Sequence, residues 1–312
     1  MTSFAWRNAL LSKTTYRVQV GGHQLSLQRC YRNAQGTPIF MVAGFGQSNE
    51  LFWGDGCDSG LAPYLADRGF DVYVAECRGK GASWPRVNRQ SDWGLYDIIT
   101  EDIPAHLAYL AKLRPGQAQF WLGQGLGSVM LSAAYARMDL LPTPLLGMIH
   151  FAAARRCQLE GLAKTLSYMF WQARNNLSCV LLGRSGFDDK RAESSRLSQE
   201  LQGWTSQPDW LDPLDGFDYR AALRRKGLPP SLYFSLDSSR LWGQIEDTRL
   251  WLQELGHHDA QLVGVSRRGG SLRNYNQTSL LTHRSACEDQ FLVLQNWLGR
   301  KQKGPAFARQ SA

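Results

Sequence analysis

The chain has 312 residues, 43 % of them hydrophobic and 20 % charged, enough for one large α/β domain with an insertion or for two small domains. The formal net charge is +8, but the basic residues are scattered in short groups (155–156, 224–226, 267–268 and 300–303). A dispersed surplus of this kind is expected to be solvated surface; it argues against a nucleic-acid partner and leaves peripheral contact with an anionic membrane as a weak expectation. The six cysteines have no C-x-x-C spacing, which argues against a zinc site or redox pair, and no metal or cofactor is expected. No apolar run approaches the ~18 residues that span a bilayer. The start of the chain lacks a signal-peptide h-region, so a cytoplasmic location is expected.

Segments 14–20 and 24–29 alternate around Gly21-Gly22 and predict a hairpin. Segment 38–42 is a short continuous apolar run, suited to burial on both faces of a parallel sheet. It runs into the loop Ala43-Gly44-Phe45-Gly46. A helix over 60–68 is stopped by Gly69, and a second buried strand follows over 71–76. The turn Cys77-Arg78-Gly79-Lys80-Gly81 comes next. Helical periodicity covers 95–113, with Asp97, Glu101 and Asp102 in its early turns and Pro115-Gly116 closing it. The apolar run 120–122 enters a turn with glycines at 123, 125 and 127, then a small-residue helix over 128–136. Another strand covers 145–151.

Residues 152–226 contain no buried-strand run and carry helical patterns with Trp171, Trp204 and Trp210, as expected of a helical insertion over a sheet. The strand pattern resumes over 231–236 after Pro229-Pro230. A helix over 246–255, a last strand over 261–265 and a closing helix over 286–298 complete the pattern. Strands alternating with helices predict a mostly parallel sheet with helices on both faces. The expected division is a core of 1–151 and 227–299, a helical cap of 152–226, and a basic disordered tail of 300–312.

The stretch 119–131, Gln-Phe-Trp-Leu-Gly-Gln-Gly-Leu-Gly-Ser-Val-Met-Leu, has the strand, sharp turn and helix of a nucleophile elbow, G-x-S-x-G. Its outer glycines are Gly123 and Gly127; the central position holds Gly125. Further matching residues are the loop 43–46, segment 69–74, Arg78-Gly79 with Ser83-Trp84, segment 96–105, Tyr275-Asn276-Gln277 and Trp297-Leu298. On these residues the chain resembles the α/β-hydrolase family, and within it the acid-lipase branch and its bacterial relatives. The resemblance covers roughly 38–150 and 228–298 and implies the α/β-hydrolase fold.

The resemblance also implies a site. Family members use an elbow serine, a histidine and an orienting carboxylate, with two backbone N–H groups for the oxyanion. In the family's register the nucleophile position falls on Gly125, the acid on Ser239 and the base on Gln277, a degenerate triad. The oxyanion amides would be those of Phe45 and Leu126. Asp237 and His283 are the alternative acid and base. Ser128 lies three residues into the helix, about 300° around it, and recedes from the elbow tip. His106, His150 and Cys77 read as structural, and His257-His258-Asp259 as a polar turn.

The expected function is a non-hydrolytic pseudoenzyme that binds a small apolar or acyl-type ligand, or a protein partner. Trp84 and Trp242 are expected to help line its pocket. The alternative is an esterase- or lipase-like carboxylic-ester hydrolase using Asp237 and His283, with the nucleophilic serine replaced, by nature or by engineering, at Gly125.

Overall fold

The computed structural model describes residues 11–54, 60–158, 161–237 and 241–304. Eight strands make one sheet: β1 (Ser12–Val20), β2 (His23–Tyr31), β3 (Pro38–Val42), β4 (Asp71–Glu76), β5 (Gln119–Gln124), β6 (Leu145–Phe151) and, after the two-residue strands β7 (Arg184–Ser185) and β8 (Glu193–Ser194), β9 (Ser231–Leu236) and β10 (Ala260–Val265). Their order is β1-β2-β4-β3-β5-β6-β9-β10, with β7 and β8 forming a separate ribbon. β2 runs antiparallel to β1 and to β4; every other neighbouring pair in the sheet is parallel. Strands β3, β4, β5, β6 and β9 are buried at every position. Both faces are covered, so these strands read as continuous apolar runs rather than alternating ones.

The helices are α1 (Glu50–Trp53), α2 (Leu61–Asp67), α3 (Leu95–Asp97), α4 (Ile103–Leu113), α5 (Leu126–Arg137), α6 (Leu162–Leu182), α7 (Ser195–Ser206), α8 (Tyr219–Lys226), α9 (Ile245–Leu255), α10 (Ser279–Thr282) and α11 (Gln290–Gln302). One hydrophobic core lies between the sheet and α4, α5, α8 and α9; the other lies under α2 and α11. The helix predicted over 95–113 is continuous, with a π-helical turn, Ile98–Asp102, between α3 and α4. That turn presents the buried Asp102 to Arg78, whose backbone N–H and Nε donate to the carboxylate at 2.8 and 2.9 Å.

Two boundaries differ from expectation. Helix α11 continues to Gln302, so the tail expected from residue 300 starts as helix; residues 305–312 lie outside the described residues. In the insertion, α6, the β7–β8 ribbon and α7 form the cap, whereas α8 packs on α5 and α9 in the helical layer of the core. A strand of two residues carries no periodicity, which is why the ribbon left no trace in the sequence pattern.

Candidate functional site

The site is built on the turn from β5 into α5. Gly125 has φ 52° and ψ −121° there. Its N–H donates to the Phe151 carbonyl at 2.8 Å, and its carbonyl accepts from the Ser128 N–H at 3.1 Å. The three glycines serve different ends. A Cβ on residue 123 would sit 2.4 Å from the Ser128 backbone, and one on residue 127 would sit 2.3 Å from the Val42 carbonyl oxygen. Close packing of strand, helix and β3 therefore demands glycine at both. A Cβ on residue 125 would meet nothing within 4 Å. The apex is open space where a side chain could stand, and only its positive φ favours glycine.

Opposite the apex runs the loop after β3. The Gly44 N–H donates to Oε1 of the buried Gln124 at 3.1 Å, and the Gly46 N–H donates to Glu193 Oε1 at 3.0 Å. Between these two tethers, the Phe45 N–H has no acceptor among the described residues. The Leu126 N–H, in the first turn of α5, has none either. Two amides on cavity-lining residues are thus left to a ligand oxygen, one of them at a helix N-terminus, where negative charge is favoured.

The loop is held from below by Lys80. Its ammonium pairs with Glu193 and donates to the Gln47 carbonyl at 2.8 Å. Both side chains are buried, and burial pushes the Glu193 carboxyl above its ordinary range while Lys80 opposes the shift. Glu193 belongs to β8, so the cap supplies the group that fixes this core loop.

The apex and the loop open into a cavity of about 590 Å³. Phe45, Leu126, Trp171, Trp242 and Gln277 line it. The Trp171 ring lies 6.0 Å from that of Phe45 and 5.7 Å from that of Trp242. Gln277 Nε2 donates to the Trp242 carbonyl at 3.1 Å. Arg174, Arg191 and Asp188 also lie on the lining; Arg191 and Asp188 pair at 3.4 Å.

The structure therefore brings Gly125, Gln277, Phe45, Leu126 and Trp242 to one cavity. It does not bring the other predicted residues there. Trp84 is 64 % exposed and off the wall, because its backbone N–H and carbonyl pair with Gln24 and hold it on the hairpin edge. His283 caps the short 3-10 turn Arg284–Cys287: its Nδ1 accepts from the Ser285 N–H at 3.1 Å, and its Nε2 faces the Arg273 guanidinium. Asp237 is exposed beyond β9 and is not on the wall, and Ser239 lies outside the described residues.

None of the six histidines lines the cavity. His106 is buried with Nε2 on the Glu76 carbonyl, and His150 stacks on Tyr233. Ser128 is fully buried in α5. Burial raises the Cys77 thiol well above its usual range, so it holds no ready thiolate. Sequence reasoning missed Gln124, Lys80, Glu193 and Trp171. Gln124 adjoins the elbow and could have been flagged by position; Glu193 has no local signal, since its partner is 113 residues away.

Residues 55–202 match the family described as serine aminopeptidase, S33. Triacylglycerol lipase 1 of Arabidopsis thaliana is 27 % identical over 162 residues, which is 48 % of this chain and 39 % of that lipase. The chain thus aligns with about two fifths of that relative's length. Among solved structures, a soluble variant of monoglyceride lipase from Saccharomyces cerevisiae, in complex with a substrate analog, superposes with a TM-score of 0.65 at 12 % identity, covering 98 % of this chain and 100 % of the lipase. Est1E from Butyrivibrio proteoclasticus, with ferulic acid bound, gives 0.61 at 13 % identity, covering 93 % and 100 %. Among the described residues, no helix is long and apolar enough to cross a membrane. Sheet order, elbow and these likenesses agree: the chain has the α/β-hydrolase fold, and the family match and the lipase relative support a place among the α/β-hydrolases.

Proposed function

We propose that this protein is a non-hydrolytic α/β-hydrolase that binds an acyl-type ligand, with a carbonyl or carboxylate head on the Phe45 and Leu126 amides and an apolar tail against Phe45, Trp171 and Trp242. The observation that carries this reading is the glycine at the elbow apex. With Gly125 there is no oxygen or sulfur to attack an acyl carbon, so no acyl-enzyme forms. Nor, among the described residues that line the cavity, is there a free base to activate water in its place. Gln277 has no titratable proton and gives its amide N–H to the Trp242 carbonyl. The one carboxylate among the described lining residues, Asp188, is half-exposed and paired with Arg191. What persists is the electrostatic half of a hydrolase site, two open amides in a partly apolar cavity, and that half alone is a receptor for an acyl oxygen.

The experiment measures p-nitrophenyl ester turnover and labelling by a fluorophosphonate probe. The wild-type protein and Gly125→Ser are expected to stay at background. The triple variant Gly125→Ser/Ser239→Asp/Gln277→His is expected to gain labelling. Enzyme-like turnover by the wild-type protein, or full activity from Gly125→Ser alone, overturns the reading and returns the chain to the esterases.

A further inference from the structure

Helix α6 is built inside out. Leu162, Leu166, Phe170, Leu177, Val180 and Leu181 are all more than half exposed, Phe170 at 71 % and Val180 at 78 %. At about 100° per residue these positions fall within a single arc roughly 100° wide. The opposite side of the helix is buried and polar. Lys164 donates to Gln244 Oε1 at 2.7 Å and pairs with Asp247 at 3.1 Å; the Tyr168 hydroxyl meets Thr205 Oγ1 at 3.1 Å. Asn175 and Ser178 are buried on the same side. A helix of a soluble domain places its apolar stripe on the core and its polar side in water. This one satisfies its polar side within the protein and leaves the stripe outside, and a contiguous exposed stripe of this kind marks an interaction surface.

We propose that this face of α6 docks on an anionic lipid surface. Two observations select that occupant. The first is charge: the exposed side of α6 carries Arg174 and no acidic residue, Lys164 being buried against Asp247, in a chain whose net charge is +8. An exposed apolar stripe edged by a cation and free of acidic side chains meets anionic headgroups without repulsion while its leucines and phenylalanine enter the acyl boundary. The second is continuity with the cavity. Arg174 lies at the edge of the stripe, over the Phe187 ring at 5.7 Å, and both residues also line the cavity. Phe187 is itself 56 % exposed. The apolar surface therefore runs from the outer face of α6 into the mouth. A protein seated on the stripe would cover the mouth; a bilayer places it against acyl chains.

The test is vesicle flotation of the whole protein with no cavity ligand added, so its failure is separate from any failure of the acyl-binding reading. Vesicles are phosphatidylcholine alone or with roughly a third phosphatidylglycerol. The wild-type protein is expected to float with the anionic vesicles. Phe170→Asp and Val180→Asp each lower the partition coefficient about tenfold or more, since each puts a charge where an exposed apolar side chain would enter the acyl boundary. Both positions are exposed, so thermal melting should be unchanged and a folding defect would be seen separately. Absence of flotation with both vesicle types overturns the proposal, as does unchanged flotation of both variants. A wild-type dimer in light scattering that the same substitutions split, with no vesicle binding, assigns the face to a second copy instead and also overturns it.

Discussion

His150 lies within β6, fully buried, with its ring stacked on Tyr233 at 4.4 Å and neither nitrogen hydrogen-bonded among the described residues. Burial, aided by the nearby His258, holds its pKa down to about 3. A base whose folded pKa is depressed contributes stability that is fully present above its unfolded value, near 6.5, and is lost as pH falls toward the folded value. His106, at about 4, acts with the same sign, while the buried carboxylates of Glu76, Asp102 and Glu193 are raised and act with the opposite one. The net acid response thus mixes signs, and a difference measurement isolates one residue. His150→Phe keeps the stack on Tyr233 and removes two unpaired buried nitrogens. It should stabilise the fold by about 1 kcal/mol at pH 7. Between pH 7 and 4 its advantage should grow by roughly 3 kcal/mol, because the wild-type chain alone pays for keeping this imidazole neutral. Urea denaturation at the two pH values measures this; an advantage that does not grow on acidification means His150 is protonated and paired in the fold.

At the scale of elements, the loop after β3 depends on the ribbon. Glu193 accepts from the Gly46 N–H and neutralises Lys80, so one carboxylate both positions the loop and balances a buried charge. Glu193→Ala should cost about 3–5 kcal/mol, since it strands the Lys80 ammonium. The apolar pair Lys80→Met/Glu193→Leu should recover most of that stability and still bind acyl ligands less well than the wild-type chain, because the Gly46 N–H stays untethered. Denaturation midpoints and ligand titration on the same proteins separate the two effects. Affinity that recovers along with stability would mean the loop needs no tether. This pairing also marks the limit of what the sequence discloses. Strands β3, β4, β6 and β9 announced themselves because burial on both faces forces continuous apolar runs, and their bounds follow from those runs. Gly123 and Gly127 were legible because close packing admits nothing larger. Glu193 and Lys80 were not, since their meaning lies in a contact made only once the cap has folded over the core. The candidate acid and base suffered in the same way: Asp237 and His283 have suitable chemistry, yet neither is among the residues that line the cavity.

At the scale of the molecule, cap and core are joined through buried charge. Arg155 enters the cap and donates from Nε and Nη2 to the two Glu254 oxygens of α9, each at 2.7 Å, from Nη1 to the Gln207 carbonyl and from Nη2 to the Pro208 carbonyl. Lys164 of α6 does the same with Asp247. The sequence showed helical patterns across 152–226 but not the direction of the α6 stripe, because helical periodicity gives a face without saying what that face meets. The cavity lies across this junction, with Phe45, Leu126 and Trp242 from the core and Trp171 from the cap. A ligand that fills it binds both parts at once and is lost when either opens. A medium-chain fatty acid should therefore raise one cooperative melting transition of the whole chain, with stability rising as the logarithm of ligand concentration, about 2.7 kcal/mol at a hundredfold excess over Kd. Its methyl ester should act more weakly, because an ester oxygen carries less charge to the Phe45 and Leu126 amides than a carboxylate does. Scanning calorimetry across a concentration series distinguishes the outcomes. A melt that splits, with only a minor early transition moving, would place the ligand on the cap alone and remove the Phe45 and Leu126 amides from the binding site.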